Sequence, residues 1–147
     1  MSLEPVKRRL HIPLSPDAAF SLFTEGVERW WPVETHSMYG RVARVFFEAA
    51  PEGRIGERDA MGREEIWGAV RVCERPNRLV FTWHPGRDPA TAQEVEVRFA
   101  AEGKGAVVEL EHRGWDVLGD QAEERRESYE SGWDLVFCDR FGKVACR

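Results

Sequence analysis

The sequence predicts an α+β fold. A curved antiparallel sheet wraps a long C-terminal helix, and two short helices follow the first strand. Three observations carry this reading. Short segments of alternating apolar and polar residues, separated by turn formers, fill the middle of the chain. Apolar residues near the end (Tyr129, Trp133, Val136, Phe137, Phe141, Val144) recur at spacings of three and four, as on one broad helical face. The helical patterns lie apart from the strands rather than alternating with them. A curved sheet would bury the terminal stripe.

The elements follow in order. "VKRRLHI" (6–12) reads as a first strand. "SPDAAFSLF" starts a helix, with Ser15 as the cap and Pro16 at the first helical position, where a missing N–H costs nothing. "GVERWWP" reads as a second short helix stopped by Pro32. In "ARVFFEA" (43–49), Val45, Phe47 and Ala49 alternate with Arg44, Phe46 and Glu48. "RIGERD" and "EEIWGAVRVCE" flank the turn "AMGR". Ile66, Gly68, Val70 and Val72 share one face of the second arm. Trp67 falls on the opposite face, so its direction stays open. "RPNR" turns the chain into "LVFTWH" (79–84), and "PGRDPATAQ" is a loop. "EVEVRF" (94–99) reads as a strand wet on one face. "EGKG" leads into "AVVELEHR" (106–113). Asp120 and Glu123 fit a D-x-x-E capping box for the terminal helix.

The 147 residues suit one domain spanning 1–147. A net charge of −5 and the lack of a Lys/Arg run argue against nucleic acid as partner. No apolar run approaches the roughly 20 residues of a membrane helix, so membrane insertion is not expected. "MSLEPVKRRLHIPL" lacks the apolar stretch of a signal peptide. Cys73, Cys138 and Cys146 are odd in number and form no C-x-x-C. A reducing, cytoplasmic setting is expected.

The segments "RWWPVETHSMYG", "GRIGERD", "IWGAVRVCERPNRLVFTWHPG", "EVEVRFAAEGKGAVVELEHRGWDVLGD" and "SYESGWDLVFCDRF" cover nearly the whole chain in order. Together they resemble the START/birch-pollen-allergen (SRPBCC) superfamily of helix-grip proteins. Within it they resemble the branch of homologues of the heat-shock-chaperone ATPase activator. The resemblance implies six or seven strands gripping the terminal helix, with a cavity between helix and sheet. It implies apolar ligands, a chaperone contact, or cyclase- or dehydratase-like activity, depending on the relative. Where a typical member carries "GG" before the arginine of the third strand, this chain has "EGRIGERD", a departure confined to a turn.

His112 is the sharpest candidate residue. By alternation it shares a face with Val108 and Leu110, which aims an imidazole toward the helix. It is a core histidine satisfied by a hydrogen bond, an orienting group in a pocket, or a general acid or base. Glu57 alternates with Ile55 and reads as inward or as a solvated strand end; inward, it needs a partner. Trp30, Trp31, His36 and Ser37 in "WWPVETHS" read as a mouth or lid, or as packing and surface. Trp83, Tyr129 and Trp133 extend the aromatic set. Gly132 removes bulk beside Trp133, either for a pocket or for close helix–sheet contact. No H-E-x-x-H, G-x-S-x-G or phosphate-loop spacing occurs, so neither metal nor organic cofactor is expected.

The leading expectation is binding of an apolar or amphipathic small molecule between helix and sheet. Trp31, Phe47, Trp83, Tyr129 and Trp133 would form the wall. His36, Glu57 and His112 would be the polar anchors. One alternative is a chaperone-contacting module, which requires an exposed apolar patch. Another is an enzyme using His112 and Glu57 for proton transfer, which requires the two side chains to meet. A homodimer also suits a small chain of this kind.

Overall fold

The computed structural model describes residues 3–146, with nothing described for the Val42 side chain. Seven strands form one antiparallel sheet: β1 (Val6–Ile12), β2 (Arg44–Phe47), β3 (Arg54–Arg58), β4 (Glu64–Glu74), β5 (Arg78–Trp83), β6 (Gln93–Glu102) and β7 (Gly105–Arg113). Their order is β1-β7-β6-β5-β4-β3-β2. Five hairpin or loop connections thus lay consecutive strands side by side, while the segment after β1 crosses to the far edge and β1 itself pairs with β7, with Val6 opposite His112. The sheet curls around the helices, as the alternation and the terminal stripe predict.

Helix α1 (Pro16–Phe23) starts as expected: the Ser15 side chain accepts from the Ala18 N–H, and Pro16 stands in the first turn. It buries Phe20 and Phe23 in the core. The second short helix is a single 3₁₀ turn, Val27–Arg29. Helix α2 (Ala122–Trp133) runs directly into a π-helical stretch, Asp134–Phe141, and a last turn, Gly142–Ala145. Trp133, Val136, Phe137 and Phe141 are all buried, so the stripe does face the sheet. The Phe137 and Phe141 rings stack, with centroids 5.6 Å apart.

Two details differ from the sequence reading. The Asp120–Glu123 capping box is not made. A 3₁₀ segment spans Trp115–Gln121, Gly119 turns out of helical geometry (φ 56, ψ −125), and the N-cap residue Gln121 makes no side-chain cap. A capping box needs an extended residue at the cap, and the 3₁₀ turn removes it. Likewise, the outer face of β6 is not wet at Glu96, which is 3% exposed. Arg78, Arg98 and Arg113 surround it at 2.7, 2.8 and 2.6 Å. Burial pushes the Glu96 pKa up, but hydrogen bonds from the three guanidinium groups outweigh it and hold it at about 2.

β4 settles the direction of Trp67. Ile55 faces Gly68 and Gly56 faces Ile66, so Trp67 is the extra residue of a β-bulge. The bulge breaks the two-residue alternation, and both Trp67 and Val70 end up buried. Gly68 is required here: a Cβ would sit 1.8 Å from the Thr82 carbonyl oxygen on β5.

Candidate ligand pocket

The aromatic residues concentrate in the concave side of the sheet. Trp31 lies 4.9 Å from Trp67 and 5.9 Å from Trp83, and Trp83 lies 5.9 Å from Trp133. On one side of this cluster the core closes. Phe23, Phe47, Ile55 and Phe81 fill it to a residual void of about 10 Å³. On the other side the tryptophans line a pocket of about 340 Å³. That volume lies at the small end of the range for small-molecule sites. The remaining wall comes from Thr35, His36, Ser37 and Met38 of the loop after Pro32, from Pro85, and from Arg125, Ser128, Tyr129, Gly132 and Val136 of the terminal helix. Met38, 60% exposed, and Ser128, also exposed, mark the opening to solvent.

Each loop group is held by local bonds. Trp31 Nε1 donates to the His36 carbonyl at 2.8 Å, and His36 Nδ1 lies 2.7 Å from the Thr35 hydroxyl. Burial lowers the His36 pKa. Trp30, by contrast, is buried away from the pocket, its Nε1 donating to the Leu22 carbonyl. The neighbouring tryptophans thus divide the two readings between them: Trp30 packs the core, and Trp31 lines the pocket.

Of the eight predicted site residues, Trp31, His36, Trp83, Tyr129 and Trp133 line the pocket; Phe47, Glu57 and His112 do not. Phe47 belongs to the closed core, on Phe23 and Phe81. Glu57 is fully buried. Its Oε1 accepts from the Tyr39 N–H at 2.9 Å, and the Ser37 hydroxyl accepts from the Tyr39 and Gly40 N–H groups. Glu57 therefore ties down the loop that forms the mouth. Its Oε2 is buried without a partner among the described residues.

His112 sits behind the pocket wall, fully buried. Its Nδ1 accepts from Trp133 Nε1 at 3.0 Å, and its Nε2 lies 3.2 Å from Gln93 Oε1. An indole N–H can only donate, so Nδ1 carries no proton and the neutral Nε2–H tautomer is set. Trp115 stacks on the ring at 4.2 Å. Burial pushes the His112 pKa down to about 3. Strands β6, β5 and β4 separate β7 from β3. His112 and Glu57 thus have separate partners, and the acid–base pairing is not formed.

The sequence reading left out Arg125 and Ser128, because polar helix residues read as a solvated face. The signal was present: Arg125, Tyr129 and Trp133 are spaced by four. The open question on Gly132 is settled toward room: a Cβ there meets no atom within 4 Å. Trp83 Nε1 is buried and lacks a partner at hydrogen-bond geometry. It lies close enough to the Tyr129 phenol to act on it. Burial raises the Tyr129 pKa, and Trp83 and Arg87 both oppose that rise. Among the described residues, no three His, Cys, Asp or Glu side chains gather to hold a metal ion, and no helix is long and apolar enough to cross a membrane.

Comparison with known structures agrees with this architecture. The anthrahydroquino-γ-pyrone synthase Txn09 is 28% identical, with a TM-score of 0.67 and 97% of each chain covered. The self-sacrificing resistance protein CalC from Micromonospora echinospora is 25% identical, with a TM-score of 0.69, covering 96% of this chain and 94% of that one. CalU16 from the same organism shares the fold at 22% identity, with a TM-score of 0.64, over 94% of this chain and 71% of that one. Curated proteins give no match. The model of the Activator of Hsp90 ATPase homolog 1-like proteins matches residues 13–145. With that match on a helix-grip fold, the chain belongs to the Activator of Hsp90 ATPase homolog 1-like family, within the SRPBCC superfamily.

Proposed function

We propose that this protein binds an apolar or amphipathic small molecule in the pocket between the terminal helix and the sheet. The observation that carries the reading is the pocket itself: about 340 Å³, walled by Trp31, Trp67, Trp83, Tyr129 and Trp133 and opening past Met38. Such a wall suits a flat ring system, because aromatic faces offer large contact area at little entropy cost. A ligand burying roughly 250 Å² of apolar surface gains about 6 kcal/mol, from which the costs of ordering and association are subtracted.

A docking module for a chaperone is less well supported. Among the described residues, the exposed large apolar side chains are Met38, Met61 and Val117, on three separate segments. Proton transfer by His112 with Glu57 is not supported, since the two do not meet. The free thiols of Cys73, Cys138 and Cys146 suit a reducing compartment, and we keep the cytoplasm as its location.

Tryptophan emission reports the site directly, because four of its wall residues are indoles. Titration with a panel of lipids and polycyclic aromatic compounds should give a saturable shift for at least one class. Gly132→Leu, which places a side chain in the pocket, should weaken it at least tenfold. A panel that leaves the emission unchanged up to solubility limits overturns the reading.

A further inference from the structure

The pocket has a charge character opposite to that of the chain. The protein carries 26 Asp and Glu residues and a net charge of −5. None of those carboxylates lines the pocket, and Arg125 is its one charged lining residue apart from the half-buried His36. Neutral histidine suits the lowered pKa of that ring.

Arg125 is also unmatched. It is half-buried, and no hydrogen bond or ion pair engages it among the described residues. Its helical neighbours three and four positions away are Gln121, Ala122, Ser128 and Tyr129, none of them acidic. The next residue shows the contrast. Arg126 pairs with Glu130 at 2.7 Å and donates to the Glu4 and Pro5 carbonyl groups. The other arginines without an ion pair, Arg29, Arg41, Arg71 and Arg87, are exposed, where water satisfies them. Arg87, two residues after the lining residue Pro85, is not part of the pocket wall, though its charge reaches Tyr129.

A second, independent feature points the same way. Trp83 Nε1, in the pocket wall, is a buried donor with no acceptor at hydrogen-bond geometry, the nearby Tyr129 phenol included. Leaving a buried donor unmatched costs free energy, and an acceptor on a ligand would recover it. Two groups of the pocket that can only donate are thus without a matched acceptor: the Arg125 guanidinium and the Trp83 indole N–H.

Resting on the binding function above, we infer that the pocket selects flat aromatic anions. The ring system lies among Trp31, Trp67, Trp83 and Trp133, and the carboxylate or sulfonate meets Arg125. Guanidinium groups match such oxyanions with paired N–H donors.

Two naphthalene probes of nearly the same shape test this: anilinonaphthalene sulfonate, which is anionic, and phenylnaphthylamine, which is neutral. Probe fluorescence is titrated on the wild type, on Arg125→Gln and on Arg126→Gln. The sulfonate should bind the wild type about tenfold more tightly than the neutral probe, a difference of about 1.4 kcal/mol. Arg125→Gln should abolish that preference while leaving the neutral probe's affinity within twofold. Arg126→Gln should retain the preference. Equal binding of the two probes, or a preference that survives Arg125→Gln, overturns anion selection and leaves the binding pocket standing. Failure of both probes to bind overturns anion selection alone; failure of the whole lipid and aromatic panel as well, or binding that Gly132→Leu does not weaken, overturns both readings.

Discussion

At the scale of single residues, His112 shows how a reactive side chain becomes structural. Both ring nitrogens are engaged, by Trp133 and Gln93, and burial holds its pKa at about 3. The unfolded chain protonates this ring near pH 6.5, while the folded chain does not. Its folded pKa is depressed, so stability is full above pH 6.5 and falls as the pH drops toward 3. The loss from this one group is about 2 kcal/mol between pH 6.5 and 5. His112→Phe should cost about 2–4 kcal/mol at pH 7, because Trp133 Nε1 and Gln93 Oε1 lose their buried partner. It should also remove about 2 kcal/mol of the loss between pH 7 and 5. Urea unfolding of both proteins at the two pH values checks this. Equal pH dependence in the two would show that His112 already titrates normally. The inward direction of His112 was legible from alternation with Val108 and Leu110. Its burial behind the pocket wall was not, because that depends on where Trp133 and Gln93 converge. Glu57 is a less legible case: alternation with Ile55 leaves an inward and a solvated position both open, and its role on the Tyr39 loop depends on chain far away in sequence.

At the scale of elements, glycines and bulges decide where sequence periodicity holds. The Gly132 position has open space, while the Gly68 position meets the Thr82 carbonyl. Gly132→Ala should therefore raise stability by about 0.5–1 kcal/mol through helix propensity. Gly68→Ala should lower it by several kcal/mol, on the order expected for strained, overpacked sites. Chemical denaturation midpoints separate the two; a stabilised Gly68→Ala would refute the close approach of β4 to β5. The strands were legible because turn formers bracket them. The face of Trp67 was not, since a bulge shifts the alternation and leaves no mark in local composition. The π-helical stretch was hidden for a related reason: the spacing of Trp133, Phe137 and Phe141 fits an α-helix and a wider helix alike. On β6, Glu96→Gln should cost about 2–4 kcal/mol at pH 7, since Arg78, Arg98 and Arg113 lose their shared anion. The folded pKa of Glu96 is depressed to about 2. Its contribution is present above the usual carboxylate range and lost as the pH falls from about 4.5 toward 2. The difference between the two proteins should shrink over that interval, read by unfolding at pH 7 and pH 3.

At the scale of the whole molecule, the sheet, the terminal helix and the loop after Pro32 enclose a site on one side of a shared aromatic cluster. The cluster closes the core around Phe47 and leaves the pocket open past Met38. On the proposed binding function, occupancy of the pocket would therefore be coupled to global stability. A ligand at one hundred times its dissociation constant should stabilise the fold by about 2.7 kcal/mol. For a chain of this size that is a rise in melting temperature of roughly 5–10 °C. Differential scanning calorimetry with a probe that shifts the tryptophan emission checks it. An unchanged melting temperature at saturation would show that the probe does not bind the folded chain in preference to the unfolded one.

The helical side of the pocket consists of Arg125, Ser128, Tyr129, Gly132, Trp133 and Val136. These six positions lie within one short stretch of sequence, and of them only Trp133 and Val136 are buried, while Arg125, Ser128 and Gly132 are polar or carry no side chain. On the proposed binding function, ligand choice would be encoded locally and, at Arg125, Ser128 and Gly132, largely apart from the instructions for folding. Exchanging these three side chains, or transplanting the stretch from a relative, offers a route to new cargo that leaves the scaffold intact.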